Sequence, residues 1–204
     1  HILDITVPGD YYFGDEIGTG ALLHMPASLT SLRVRGNPVF QLTSKRGFLA
    51  RLPRNLTELD LPCAIIKHCD LEMLPRSLTK LHVRYLDGAG QKHVLPPNLT
   101  SLSFGGASAG AKVEYPESLR VVEFYASQEG FSLQLPKQLE TIKGIFPAYG
   151  QDFAPFFDKY PNLRNFSMKG YQEVSSFTVA SLPRHLTHLE ISGAILNISL
   201  QTIN

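Results

Sequence analysis

Apolar residues recur along this chain in short triplets, in which an anchor residue is followed by further apolar residues three and five positions later. The pattern is clearest in LTSLRV, LTELDL, LTKLHV, LTSLSF and LTHLEI. Because the last two apolar residues alternate with polar ones, they lie on one face of an extended chain and the polar residues lie on the other. The pattern therefore predicts a short strand with one buried face in each repeat.

Nine of these units follow one another, and successive anchors are 20 to 27 residues apart. The anchors are Ile2, Leu29, Leu56, Leu78, Leu99, Leu119, Leu139, Leu163 and Leu186. A strand of this length is not stable alone, so it must be covered by its own returning segment and by the strands of adjacent repeats. We therefore predict one repeat solenoid over residues 1–204, built on a single parallel sheet of about nine short strands.

Most anchors are preceded by a proline three residues earlier, where a strand has not yet begun and no N–H is needed for its ladder. These prolines are Pro26, Pro53, Pro75, Pro96, Pro116, Pro136 and Pro183. Pro161 comes one residue late, which predicts a locally different approach to the strand of Leu163. Gly144 interrupts the pattern, because it stands where other repeats have the last apolar residue of the triplet.

The segments between the strands are short, and several are rich in glycine and alanine, as in GGASAGAKVEY. Such segments predict a mostly non-helical return. One segment differs, because Phe153, Phe156, Phe157 and Tyr160 follow helical spacing. We expect a short helix there, whose aromatic side chains belong to the core.

The motif LPxxLTxLxV resembles leucine-rich repeats, and it is similar to the FNIP-type repeats and to repeats of type III secreted effectors. This resemblance implies a right-handed horseshoe with the sheet on its concave face and mostly non-helical convex segments. The family usually has an asparagine eight residues after the anchor, and here Asn37 alone matches it. We therefore expect water or direct backbone pairing to satisfy the loops that follow the strands.

Composition excludes several classes of function. Nineteen basic residues against eighteen acidic ones leave a net charge of +1, so neither a nucleic acid nor an anionic membrane is expected as the partner. No apolar run approaches the roughly 20 residues of a membrane span. Cys63 and Cys69 are predicted to be free thiols, and a metal clip of Cys69 with His68 would lack a second pair of ligands. No histidine stands in a catalytic motif, so no enzyme activity, catalytic residue or cofactor is predicted.

Outward-facing positions of a parallel sheet form columns across the repeats. The two columns predicted here contain Thr6, Arg33, Asp60, His82, Ser103, Glu123, Lys143, Ser167 and Glu190, and then Pro8, Arg35, Pro62, Arg84, Gly105, Tyr125, Ile145, Lys169 and Ser192. The candidate partner-binding residues are Arg33, Arg35, Asp60, His82, Arg84, Glu123, Tyr125, Lys143, Lys169 and Glu190. Alternatively, opposite charges on neighbouring strands only stabilise strand pairing.

The function that these features favour is non-enzymatic protein–protein interaction, through the concave sheet or the flanking loops, within a longer protein. One alternative is a pathogen effector or surface adhesin that contacts a host molecule. Another is an oligomerising structural repeat whose open terminal strands pair with a second copy. An intracellular location is favoured over secretion, because the cysteine-rich caps of extracellular leucine-rich repeats are missing.

Overall fold

Each described repeat forms a strand where the apolar triplet predicts one. The structure, a computed structural model, describes residues 1–7, 25–36, 49–108, 110–125, 135–146, 157–170 and 182–192. The chain forms two compact units, His1–Ser118 and Leu119–Asn204.

The repeat strands of the first unit are β1 (Ile2–Val7), β2 (Ser31–Gly36), β3 (Glu58–Lys67), β4 (Lys80–Asp87) and β6 (Ser101–Phe104). Those of the second unit are β8 (Val121–Phe124), β9 (Thr141–Phe146), β10 (Asn165–Gly170) and β11 (His188–Ser192). They follow one another in sequence order, β1-β2-β3-β4-β6 and β8-β9-β10-β11, nine strands in all. The described pairings are parallel. The predicted nine-stranded parallel sheet of a solenoid with little helix is thus confirmed.

The leucines of the triplets stand side by side in register and form the core. In the first unit Leu32 pairs with Leu59, Leu59 with Leu81, and Leu81 with Leu102. All four are at most 2% exposed. Removing such a row from water is the main favourable contribution to folding. The buried face predicted from the alternating pattern is therefore confirmed for these strands. On the last strand, β11, it is not, because Leu189 is 37% exposed.

The repeat frame predicted for the first strand is wrong by two residues. Leu3, not Ile5, pairs with Leu32, and Asp4 instead of Thr6 pairs with Arg33. Ile2, taken from the sequence as an anchor, is 71% exposed. Leu3, Ile5 and Val7 alternate with Ile2, Asp4 and Thr6, so the local pattern indicates the inward face correctly. Pairing with β2 decides which of the three apolar residues stands beside Leu32.

The P-x-x-L motif forms a tight turn before the strand. The proline carbonyl accepts a hydrogen bond from the N–H of the anchor leucine, at 3.0 Å for Pro53 and Leu56 and at 3.1 Å for Pro75 and Leu78. In the repeat with the displaced proline the same turn forms, with the Tyr160 carbonyl accepting from the Leu163 N–H at 3.1 Å. Pro161 then occupies the second position of the turn, where its fixed φ is favourable. The predicted different approach is thus limited to a change of residue within the same turn.

A ladder of threonines joins successive repeats where the strands begin. Thr79 donates both its N–H and its hydroxyl to the Thr57 carbonyl, at 2.9 and 3.1 Å. Thr57 does the same to Thr30, and Thr100 to Thr79. The threonine that follows the anchor in the motif therefore gives each of these turns a second donor to the preceding one.

The loop after β4 lacks the family asparagine and is held by other donors. The Ser108 hydroxyl lies 3.0 Å from an Asp87 carboxylate oxygen and accepts the N–H of Gly88 at 3.1 Å. The Lys112 N–H donates to the Gln91 carbonyl at 3.0 Å. The expected direct backbone pairing is therefore present here, and a serine side chain adds to it.

The return segments contain little helix, as predicted. Within the described ranges they include a 3-10 turn at Leu49–Arg51, a helix α1 (His68–Leu71), and two short strands, β5 (Lys92–Val94) and β7 (Lys112–Glu114). Residues 157 and 158 are also helical, within the aromatic segment for which a short helix was predicted. The parallel pairing of β5 with β7 in a second sheet was not predicted. Among the described residues, no helix is long and apolar enough to cross a bilayer.

The aromatic segment before β10 contributes to the core. Phe157 and Tyr160 are each 3% exposed, and the Phe157 ring meets that of Phe166 edge to face at a centroid distance of 5.2 Å. These two residues confirm the predicted core role. Phe153 and Phe156 lie outside the described residues.

Candidate functional site

The candidate binding residues lie on the sheet face opposite the leucines, which we call the polar face. Alternation along each strand places them there, as at Asp60, whose neighbours Leu59 and Leu61 are both buried in the core. Arg35, Arg84 and Tyr125 are exposed, and Tyr125 keeps 44% of its surface in contact with solvent. Asp60 and His82 are half-buried. The polar face of the first unit holds the most connected group of charges.

Asp60 is at the centre of this group. It pairs in register with Arg33 on β2 and with His82 on β4. Its Oδ1 lies 2.8 Å from His82 Nδ1, and its Oδ2 lies 3.9 Å from Arg33 Nε. The contact with His82 is the largest of several effects that lower the pKa of Asp60, and the positive charges of Arg35 and Arg33 add to it. The predicted pairing of Arg33 with Asp60 is confirmed, and the carboxylate is held in its charged form.

A third column of the polar face was missed by the sequence reasoning. It contains Glu58 and Lys80, which pair in register with a nitrogen–oxygen distance of 2.6 Å. Ser31 donates to Glu58 at 3.3 Å, and Arg33 lies 3.9 Å away. The hydrogen bond from Lys80 is the largest effect that lowers the pKa of Glu58. The same alternation that selected Asp60 points to Glu58, two residues earlier on the strand.

We call these five residues, Arg33, Glu58, Asp60, Lys80 and His82, the charge chain. In it two carboxylates are each matched by basic groups on the neighbouring strands. Exposed pairs of this kind contribute at most about 1 kcal/mol each to stability. Both carboxylates of the charge chain therefore have basic partners on this part of the polar face.

Arg35 and Arg84 stand outside the charge chain. Neither guanidinium forms an ion pair with any residue that the structure describes. Between them β3 slips register after Leu61, at Pro62, which has no N–H to donate. On the other side of Arg84 stands Gly105, whose N–H donates to the Arg84 carbonyl at 2.7 Å. A Cβ on Gly105 would overlap that carbonyl oxygen, so this position carries no side chain that could cover Arg84.

The second unit places its candidate residues in the predicted columns. Glu123 and Lys143 are register neighbours, and so are Ser167 and Glu190. The Ser167 hydroxyl donates to Glu190 at 2.8 Å. The exposed Lys169 stands between two uncharged register neighbours, Ile145 and Ser192. Lys143 is also in register with Ser167, so Glu123, Lys143, Ser167 and Glu190 form one row across this unit.

A buried histidine is the other unusual group, and its burial was not predicted. His93 on β5 is 0% exposed, and neither ring nitrogen has a hydrogen-bond partner in the described part of the chain. The His68 ring on α1 lies edge to face with it, at a centroid distance of 6.3 Å. Burial lowers the pKa of His93, more than the nearby Gly88 carbonyl raises it. His93 is therefore held as a neutral side chain inside the return segments.

The cysteines next to this region do not form a bridge. Cys63 and Cys69 are not joined by a disulfide, as the sequence favours, and the Cys69 thiol lies 3.9 Å from an Asp70 carboxylate oxygen. The described residues contain no group of three histidine, cysteine or acidic side chains that could hold a metal ion. Comparisons of this chain with protein-family models, curated proteins and solved structures find no match.

Proposed function

We propose that this chain is a non-enzymatic protein-binding module of the leucine-rich-repeat type, and that it binds its partner with the polar face of the first unit. The observation that carries the proposal is the row of charged side chains on β2, β3 and β4, in register and accessible to solvent over a fully buried row of leucines. A rigid sheet holds these groups in place before binding, so little conformational entropy is lost when a partner docks.

The proposed type of solenoid is the right-handed leucine-rich-repeat horseshoe. The aligned triplet leucines, the parallel strands and the short returns support it. In such a fold the polar face is the concave one. The effector and adhesin alternatives place the same face against a host protein, so they differ from the main proposal in the identity of the partner and not in the binding chemistry.

A photo-crosslinking experiment tests this proposal. Benzoylphenylalanine replaces His82 at the centre of the polar face, or, as a matched control, the exposed Arg76 in a turn outside it. We expect one protein to be crosslinked from position 82 and not from position 76, and the purified partner to bind the unlabelled full chain saturably. Equal yields from both positions, or no protein adduct from position 82, would overturn the proposal.

Self-association is a second candidate function, and the exposed apolar residues on the outermost described strands favour it. Ile2 on β1 is 71% exposed and Leu189 on β11 is 37% exposed. Strand edges with apolar side chains are templates for pairing with another chain. Light scattering tests this candidate: Ile2→Lys should shift an oligomer towards monomer, and a wild-type chain that stays monomeric across a wide concentration range rejects it.

A further inference from the structure

On the polar face of the first unit both carboxylates of the charge chain have ion-pair partners, whereas two arginines have none among the described residues. This difference indicates the chemistry of the partner. Glu58 and Asp60 are both neutralised by basic neighbours within 4 Å. Arg35 and Arg84 are exposed and have no ion pair among the described residues. Of the five basic side chains described above on this face, Arg35 and Arg84 are therefore the two without an ion pair. A third carboxylate, that of Asp4, also lies on this face, in register with Arg33.

The positions of these arginines leave them open to a ligand. They stand on β2 and β4, with β3 between them, so their strands are separated by about 10 Å, which is two strand spacings. Pro62, where β3 slips register, offers no charge to either one. Gly105 adds no side chain beside Arg84. Among the described residues neither guanidinium has an ion-pair partner, and the planar set of N–H donors of an arginine can bind a carboxylate through two parallel hydrogen bonds.

We infer that the polar face docks an acidic segment of a protein partner, with two carboxylates about 10 Å apart that bind Arg35 and Arg84. This inference rests on the proposed function and names the chemistry of its partner. A nucleic acid fits less well, because its closely spaced phosphates would also meet Glu58 and Asp60 of the charge chain. Two separate carboxylates avoid that repulsion.

The test uses a fluorescein-labelled hexaglutamate peptide as the probe and measures its binding to the full chain by fluorescence anisotropy. Hexaglutamine of the same length is the uncharged control. Arg35→Ala with Arg84→Ala should weaken hexaglutamate binding about tenfold, which is the effect of losing two charge-assisted contacts. Arg54→Ala with Arg76→Ala is the matched control, since it removes two exposed arginines from the turns of adjacent repeats. We expect this control to bind as the wild type does.

A charge reversal separates a binding role from a structural one. Arg35→Glu with Arg84→Glu should lose hexaglutamate and gain affinity for labelled hexalysine, which no general loss of folding can produce. Equal weakening by the Arg54 and Arg76 control, or a failure of the charge reversal, would overturn the inference. Tighter binding of a single-stranded decauridylate that depends on Arg35 and Arg84 would also overturn it, in favour of a nucleic acid.

A failure of the acidic-segment inference can be distinguished from a failure of the proposed function by comparing the peptide-binding and crosslinking experiments. If hexaglutamate does not bind even at millimolar concentration while the crosslink at position 82 leads to a protein partner, the polar face binds a protein by other chemistry and the acidic segment is rejected. If the crosslinking experiment also fails, the proposed function itself is rejected.

Discussion

The ring of Phe124 occupies the space that a side chain on Gly144 would fill. These residues are register neighbours on β8 and β9, and a Cβ built on Gly144 would lie 2.5 Å from Phe124 Cε2. Phe124 is 2% exposed, so its ring is part of the core. The one repeat without an apolar residue at the end of its triplet thus has no cavity, because the large residue of the preceding strand fills it.

Gly144→Ala is expected to destabilise the protein by about 1–3 kcal/mol, since the added methyl group overpacks the core against Phe124. Urea unfolding followed by circular dichroism measures this loss. The double variant Phe124→Leu with Gly144→Ala should recover part of it, because the smaller side chain makes room. If the two substitutions destabilise additively, Phe124 and residue 144 do not compete for space and the packing described here is wrong.

The threonine ladder predicts that one hydroxyl contributes to the cohesion of repeats. Thr79→Val removes the side-chain donor to the Thr57 carbonyl and keeps the shape of the side chain. We expect a loss of about 1 kcal/mol in the free energy of unfolding. Thr79→Ser is the control, since it keeps the hydroxyl. A valine variant as stable as the wild type beside a destabilised serine variant would show that the methyl group and not the hydroxyl matters.

Burial of His93 predicts a loss of stability in mild acid. Its pKa is lowered in the folded protein, so below the unfolded value of 6.5 the unfolded chain binds more protons than the folded one. This contribution to stability is therefore complete above pH 6.5 and decreases as the pH falls towards the folded pKa. The titratable groups that act on the ring are His68 on α1 and Asp87 at the end of β4.

The measurement is the free energy of unfolding of wild type and His93→Leu between pH 8 and pH 5. The leucine variant should lose less stability over this interval, because it has no group to protonate at this position. His68→Leu is the control for the other ring. Parallel curves for wild type and His93→Leu would contradict a lowered pKa at His93.

The contact between Asp60 and His82 predicts a shift in a measurable titration. The pKa of Asp60 lies below 3.8, chiefly because of His82. His82→Ala should therefore raise the pKa of Asp60, as followed by carboxyl carbon resonances in NMR. Glu58 is the internal control, since Lys80 is the main cause of its lowered pKa. An Asp60 pKa that does not move in His82→Ala would show that the two side chains do not interact in solution.

The same shift has a consequence for acid stability. A carboxylate with a lowered folded pKa stabilises the protein above its unfolded pKa, and this stabilisation is lost as the pH falls through the folded value. For Asp60 the loss occurs below about pH 3.8. The loss of stability from protonation of Asp60 therefore begins at a lower pH than the loss caused by His93, which begins below pH 6.5.

The sequence by itself determined where the strands lie and which of their residues enter the core. Alternation over five residues is a local property, and it correctly separated Leu59 from Asp60 and Leu81 from His82. The frequent threonine after the anchor was visible as part of the motif, but its hydrogen bond to the preceding repeat could not be read from one strand. The motif identifies the repeated unit, but the hydrogen bond of its threonine also requires the preceding repeat, which supplies the acceptor.

Only the tertiary structure decided the register of the strands and which side chains lie next to each residue of the polar face. The segment ILDITV has three apolar residues on one face, Leu3, Ile5 and Val7, and pairing with β2 decided that Leu3 and Ile5 stand beside Leu32 and Val34. In the same way, Arg33 and Arg35 are two residues apart on one strand, yet Arg33 lies within 4 Å of Glu58 and Asp60, while the described register of β2 with β3 ends at Arg33. Side-chain partners in a parallel sheet come from strands about 20 residues away, so alternation along one strand predicts the face of a residue and not its neighbours.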